Sequence, residues 1–321
     1  MPRSLPVAEP VAVRQLSAAG AFGGRTLIIL NPAAGQDDPT RMRRRLGGAF
    51  AAREACFDLE LTRSAGHAAE LASHAARLGY RAVAVVGGDG TVAEAASGLA
   101  GTSTPLAIIP AGTANQVAYN LGIPQALEAA VDVAVHGYVT PIDLGRIGDR
   151  AFALVAGAGY DASVMAAATR ELKERFGFAA YIYAAVKEAL AATPRRFLIT
   201  ADGRELEIDA VTVMIANVGH LFARWLPVRL PLGPDPKTAW HDGMFDVVVL
   251  ATRHLPELAL AVWKASHLKF SGNKQLIHLQ AQEITIAADP PIAAQIDGDP
   301  AGITPITARV DCGALRVLIP A

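Results

Sequence analysis

Short apolar runs recur through the first 140 residues, and each is followed by a loop of small residues and then by helical spacing. Residues 25–30 (Arg-Thr-Leu-Ile-Ile-Leu), bounded by Gly24 and by Asn31-Pro32, predict a strand. A helix is expected over residues 40–55 and a second strand over 57–61, ending at Thr62. Residues 66–78 place Leu71, Ala75 and Leu78 on one helical face. Residues 82–86 (Ala-Val-Ala-Val-Val) are apolar at every position, the mark of a strand buried on both faces. They run into Gly87-Gly88-Asp89-Gly90-Thr91, with a helix expected from Val92. A fourth strand at 106–109 leads into Pro110-Ala111-Gly112-Thr113-Ala114-Asn115. A helix near Asn115 stops at Gly122-Ile123-Pro124, and another spans 125–136.

Strands alternating with helices imply a parallel sheet with right-handed crossovers. All strand C-terminal ends then lie on one edge, so the loops starting at Asn31, Gly87 and Pro110 converge on one crevice. Gly87, Gly88 and Gly90 let backbone N–H groups approach a bound group closely. The helix that follows aims its free N–H groups at the same place, which makes a cradle for phosphate oxygens. Asp89 within such a cradle repels phosphate unless a cation such as Mg²⁺ lies between them. The same turn also reads as a strand–helix junction with an N-capping acid. No loop reads G-x-G-x-x-G or G-x-x-x-x-G-K-[ST], so neither a dinucleotide fingerprint nor a P-loop is supported.

From Asp143 the alternation stops. Residues 150–156, 197–200, 206–208, 211–216, 245–250, 283–287 and 315–319 read as strands, and Gly203 marks a hairpin. Seven strands with turn punctuation predict an antiparallel β-sandwich. The expected fold is an N-terminal parallel α/β domain followed by an all-β domain. Its divisions are a loose tail at 1–24, the α/β domain at 25–140, the sandwich at 141–302 and a C-terminal segment at 303–321. Helical stretches at 162–192 and 254–270 interrupt the sandwich.

Composition narrows the partners. The chain is 52% hydrophobic with mean hydropathy +0.29, suited to buried parallel strands or to a surface that meets lipid. A net charge of −1 gives no global basic field for nucleic acid. No apolar run reaches the roughly 18 residues of a membrane span, and the tail lacks the apolar core of a signal peptide. Cys56 and Cys312 have no metal spacing and fit a reducing compartment. His220, His241, His254 and His267 have none either. Arg41, Arg43, Arg44 and Arg45 form either a solvated helix face or an attractor for nucleotide phosphates or an anionic membrane. Trp225-Leu226-Pro227 between Arg224 and Arg229, and Trp263, Lys264, His267, Lys269 and Phe270, read either as a membrane interface or as core aromatics with solvated cations.

The motifs together resemble the diacylglycerol kinase catalytic-domain family, and within it the bacterial soluble lipid kinases. They are Asn31-Pro32-Ala33-Ala34-Gly35; Gly87-Gly88-Asp89-Gly90-Thr91 with Glu94; Pro110 to Asn115 with Ala118; Asp143-Leu144-Gly145; Gly157 to Asp161; Asp242-Gly243; and Asp297-Gly298. NAD kinases and phosphofructokinases share the Gly-Gly-Asp-Gly-Thr loop, and the loop at Pro110 favours the lipid branch. The resemblance implies an ATP- and Mg²⁺-dependent kinase acting on diacylglycerol or a related lipid. It implies nucleotide contacts at Asn31, Pro32, Ala33, Ala34, Gly35, Thr62, Gly87, Gly88, Asp89, Gly90, Thr91, Glu94 and Thr113. Asp89 would serve the catalytic Mg²⁺. Asp242, with the backbone carbonyls of Ala239 and Met244, would hold a second, structural Mg²⁺. The general base falls on Asp299, where the family has glutamate. Other departures are Ala93 and Gln116, where the family often has Asn and Asp, and His241.

The same resemblance implies that the C-terminal segment packs back on the first domain. It also places the lipid chains in an apolar pocket of the second domain and the protein in the cytoplasm, peripheral to the membrane, with a homodimer left open. The alternatives are a sphingoid-base or ceramide kinase, an NAD kinase, and a nucleotide-binding protein that has lost catalysis, the last supported by the shorter acid at Asp299.

Overall fold

Four parallel strands organise the N-terminal half of the protein. The computed structural model describes residues 24–35, 38–159, 194–221, 230–231, 239–251 and 276–321. The tail, both expected helices of the second half, the Trp225 segment and Tyr160-Asp161 lie outside the described residues.

The chain runs β1 (Arg25–Leu30), α1 (Pro39–Ala51), β2 (Cys56–Leu61), α2 (His67–Leu78), β3 (Ala82–Gly87), α3 (Asp89–Leu99), β4 (Leu106–Pro110), α4 (Gln116–Asn120) and α5 (Leu127–His136). Strands β2, β1, β3 and β4 pair in parallel in that order. Every residue of β3 is buried, as an all-apolar central strand requires. Helices α2 and α3 pack closely, and a Cβ on Gly98 would overlap the Ala69 backbone. Helix α3 begins at Asp89 rather than at Val92, so Asp89 and Gly90 form its first turn.

The second half follows as β5 (Tyr138–Ile147), β6 (Arg150–Phe152), β7 (Val155–Gly159), β8 (Arg195–Ala201), β9 (Arg204–Ala210), β10 (Thr212–Ala216), β11 (His220–Leu221), β12 (Leu230–Pro231), β13 (Phe245–Leu250), β14 (Leu276–Ala281), β15 (Glu283–Asp289), β16 (Ala293–Ile296), β17 (Asp299–Ile303) and β18 (Ile306–Ile319). One sheet of the sandwich, ordered β14-β13-β10-β7-β16-β17, is antiparallel. The other is continuous with the parallel strands through β18. At its C-terminal end β18 lies beside β4 (Val317 opposite Leu106), and at its start it pairs with β15 (Ile306 opposite Ile286). Strand β5 runs along β18 and carries the chain through Thr140 without a linker. Between the sheets Phe152, Phe197, Ile199, Val213, Phe245, Val247, Ile284 and Ile286 are buried together. Phe152 stacks on Phe245 with ring centroids 5.6 Å apart, and a Cβ on Gly145 would overlap the Phe152 ring.

The single strand expected over 150–156 is two strands. The break has a cause: the N–H groups of Ala153, Leu154 and Val155 all turn to the Asp297 carboxylate instead of a ladder partner. Among the described residues no helix is long and apolar enough to cross a membrane.

Candidate active site

The three small-residue loops touch one another at the C-terminal edge of the parallel sheet. In the first loop Asn31 folds the chain over itself, its Oδ1 accepting from Ala33 N–H at 2.9 Å. Its Nδ2 donates to Thr91 Oγ1 at 2.9 Å, and its backbone N–H donates to Val86 O at 3.0 Å, tying the first loop to the second. The second and third loops meet backbone to backbone. Ala111 N–H donates to Gly87 O at 2.9 Å, and a Cβ on Gly112 would overlap Gly88 Cα. Gly35, at φ +78°, would place a Cβ 2.8 Å from Ala111 O, so the first and third loops also pack without room for a side chain. The glycines serve contact between loops as well as approach to a ligand.

Gly112→Ala is therefore expected to push two backbones apart. Neither side has a flexible side chain to yield, so a cost of about 1–3 kcal/mol is expected. Thermal unfolding of the variant measures that cost, and titration with a fluorescent ATP analogue should show weaker binding.

Asp89 does not cap its own helix. The N-cap of α3 is Gly88, with no side-chain cap. Instead Asp89 Oδ1 accepts from Val117 N–H at 3.0 Å, at the start of α4. Burial pushes the Asp89 carboxyl above its ordinary range, against the N–H groups of Val117, Gln116 and Asn115, which pull it down. Asn115, held at φ 50°, secures the same turn by accepting from Gly112 N–H (3.0 Å) and donating to Gln125 Oε1 (3.0 Å). Beside it, Gln116 Oε1 is buried and has no hydrogen-bond partner. An orphaned oxygen on the turn whose N–H groups meet the half-buried Asp89 carboxylate suits a cation or a hydrated cation, so these residues fit Mg²⁺.

The remaining expected nucleotide residues are spread along the same edge. Thr62 follows β2, its N–H donating to Leu30 O at 3.0 Å. Thr113 is exposed in the third loop. Glu94 Oε2 accepts from Ala68 N–H at 3.2 Å, near the start of α2.

The antiparallel sheet brings one turn to this edge. Asp297 (φ 48°) and Gly298 (φ 91°) are the two central residues of the β16–β17 hairpin, the left-handed pair that a type I′ turn requires. Asp297 Oδ2 accepts from Ala153 N–H (2.8 Å), and Oδ1 accepts from Leu154 (3.0 Å) and Val155 (2.9 Å). Burial, with a smaller contribution from the negative charge of Asp89, pushes its carboxyl up to about 6 despite these donors. Asp299, the first residue of β17, is exposed beside it.

The second expected metal site is the turn from Ala239 to Met244. Asp242 Oδ1 accepts from Met244 N–H at 3.0 Å. Burial raises the Asp242 carboxyl, with Asp246 and Asp143 adding to the effect, so the turn carries negative charge that a cation would offset. Among the described residues, however, no three His, Cys, Asp or Glu side chains gather as a metal cage. Asp143, buried, braces the turn by accepting from Gly243 N–H (2.8 Å) and Gly313 N–H (2.7 Å).

In the sequence Asp297 stands out only as part of a motif, and nothing assigns a role to Asn115 or Asp143. The Asp-Gly pair at 297–298 was the available signal for the hairpin. Nothing local announces the bonds that Asp143 makes.

Comparison with known proteins agrees with this architecture. The diacylglycerol kinase catalytic domain matches residues 25–147, and the YegS C-terminal NAD kinase beta sandwich-like domain matches residues 154–319. A diacylglycerol kinase of Mycobacterium tuberculosis is 31% identical over 259 residues, covering 75% of this chain and 82% of that protein. An uncharacterized Synechocystis protein is 29% identical over 238 residues, 73% of this chain and only 54% of its own length. A Bacillus anthracis structure, provisionally named as a diacylglycerol kinase, superposes with a TM-score of 0.75 at 25% identity, covering 92% of this chain and 97% of that one. The chain belongs to the diacylglycerol kinase and YegS lipid kinase family.

Proposed function

We propose that the protein transfers the γ-phosphoryl group of ATP to the hydroxyl of diacylglycerol or a related lipid. One observation carries the reading: three small-residue loops meet in backbone contact at the C-terminal edge of the parallel sheet. The loops at 31–35 and 87–91 would bind the triphosphate through backbone N–H groups, with Thr62 and Thr113 at the nucleotide. Phosphoryl transfer passes through a loose, highly charged transition state, so fixed donors and position supply most of the acceleration.

Mg²⁺ would be held by Asp89, with Gln116 Oε1 beside it, and would neutralise charge on the phosphates. A three-carboxylate cage is not needed for that, because Mg²⁺ keeps several waters and takes ligands from the phosphates themselves. Asp242, with the carbonyls of Ala239 and Met244, would hold a second Mg²⁺ remote from the chemistry. Asp299 would accept the proton of the lipid hydroxyl. It is exposed at the start of β17, which leaves its carboxylate accessible to an incoming hydroxyl.

The test is transfer of labelled γ-phosphate, with Mg²⁺, to a panel in detergent micelles: diacylglycerol, monoacylglycerol, phosphatidylglycerol, sphingosine, ceramide and NAD. Labelled diacylglycerol is expected, with chelation by EDTA abolishing it. Labelled sphingosine or ceramide would shift the lipid class. Labelled NADP, or ATP binding without any labelled product, would overturn the reading.

A further inference from the structure

Helix α4 is five residues long, too short to hold itself in water. Yet the Asp89 carboxylate leans on the N–H groups at its start, Val117 N–H at 3.0 Å among them. Burial of Val117 and Ala118 fixes one side of the helix. Its last residue fixes the other. Asn120 Nδ2 donates to His220 O at 3.0 Å, and His220 N–H donates to Asn120 Oδ1 at 2.9 Å. The same Nδ2 donates to Gln116 O at 2.9 Å, one turn back on α4. An amide that both gives to and takes from one residue's backbone stands in for a strand partner. Opposite His220 in the β11–β12 pair is Pro231, which has no N–H to offer the His220 carbonyl, and Asn120 supplies one. The Tyr119 ring adds an edge-on contact to the His220 ring, with centroids 6.3 Å apart. The far end of this clasp is itself anchored. Asn217, buried, gives its N–H to Leu154 O and its Nδ2 to Asp143 O, each at 2.8 Å. Leu154 is one of the residues that Asp297 holds. A continuous run of bonds therefore leads from the hairpin that carries Asp299, through Leu154, Asn217, His220 and Asn120, to the turn that meets Asp89.

We propose that Asn120 is a positioning residue for the metal carboxylate: its clasp on His220 fixes α4 against β11, and α4 in turn sets the direction of Asp89 toward Mg²⁺. The proposal rests on the reading of Asp89 as the Mg²⁺ ligand, and it does not need the acceptor to be a lipid. Partners that orient a metal ligand matter almost as much as the ligand itself. Here the orienting group is a backbone N–H, so the side chain that holds that backbone in place takes the role. A purely structural clasp, fastening residues 217–220 and nothing more, predicts a loss of stability with no change in metal affinity.

The experiment titrates Mg²⁺ against binding of a fluorescent ATP analogue to the full chain, in the wild type and in Asn120→Ala. The alanine variant should need about tenfold more Mg²⁺ for half-maximal binding, the lower end of what an orienting partner contributes. Asn120→Gln keeps the amide and should recover part of the shift. Hydrogen exchange at the Val117 amide should be faster in the alanine variant, because α4 then opens more readily. Lipid phosphorylation should follow the Mg²⁺ shift, with kcat at saturating Mg²⁺ within about threefold of the wild type. Should the alanine variant not fold, Asn120→Asp gives a milder lesion that keeps the acceptor for His220 N–H and loses the donor. Its added negative charge favours Mg²⁺, so a raised midpoint there reports position and not charge. An unchanged Mg²⁺ midpoint overturns the proposal, and so does unchanged protection of Val117. A lowered unfolding temperature with the Mg²⁺ midpoint of the wild type assigns the clasp to stability alone and overturns it as well. If no lipid is phosphorylated yet the midpoint rises and Val117 loses protection, the positioning role stands and the lipid-kinase reading falls.

Discussion

Asp299→Asn is expected to lower lipid phosphorylation by about 10²–10⁴-fold while leaving ATP affinity within a factor of two or so of the wild type. The loss corresponds to roughly 3–5 kcal/mol of transition-state stabilisation. The separation of the two effects follows from placement. Asp299 is exposed at the start of β17, and none of the three loops that would hold the triphosphate rests on it. Single-turnover transfer from labelled ATP, beside equilibrium titration of a fluorescent ATP analogue, measures both quantities. Full activity in the asparagine variant would remove Asp299 as the base. Asp299→Glu adds one methylene toward the hydroxyl and is expected to remain within about tenfold of the wild type, because the glutamate arm keeps a carboxylate within reach of it. If both variants are inactive and both bind ATP, a carboxylate at this exact reach is required.

The parallel half of the fold was readable because its central strands are buried on both faces. An all-apolar run such as β3 has few alternatives, and the glycine loop at its end announces the turn. The continuity of the sheet was not readable. Strand β5 holds Pro141, Asp143 and Gly145, residues that depress any strand pattern. Each has a tertiary reason: Gly145 makes room for Phe152, and Asp143 takes N–H groups from Gly243 and Gly313, 100 and 170 residues away. Strands β16 and β17 are short, and β17 contains Pro300 and Gly302, so only the Asp-Gly turn between them carried a signal. At the candidate site the loops were legible as loops, from glycine content alone. The direction of the Asp89 carboxylate was not, because its partner Val117 lies 28 residues further on, at the start of another helix. The bond from Ala68 N–H to Glu94, 26 residues apart, was equally illegible.

Asp297→Ala is expected to destabilise the protein by roughly 3–5 kcal/mol, among the largest effects a single substitution gives. Three backbone N–H groups, of Ala153, Leu154 and Val155, lose their acceptor at once in a half-buried place. Each orphaned donor costs about 1–3 kcal/mol, less than additively if the strand shifts or water enters. The β16–β17 turn then loses its anchor to the β6–β7 junction, and Asp299 loses its position with it. Asp297→Asn separates geometry from charge. The wild-type carboxyl titrates near 6, above its ordinary 3.8, so the folded state binds this proton more tightly than the unfolded chain does. The stabilisation from that proton is full below about pH 4 and is lost as pH rises through about 6, a change of up to about 3 kcal/mol. The asparagine variant has no such proton, so its stability should be flatter between about pH 4 and 7. One amide N–H then faces a donor, and the variant should be less stable than the wild type at low pH. Urea denaturation of wild type and variant across that range tests the sign. A parallel pH dependence in the two proteins would mean that another group sets it. A steeper loss for the wild type as pH rises would locate in Asp297 the charge that the fold retains, at some cost in stability, beside the glycine loop.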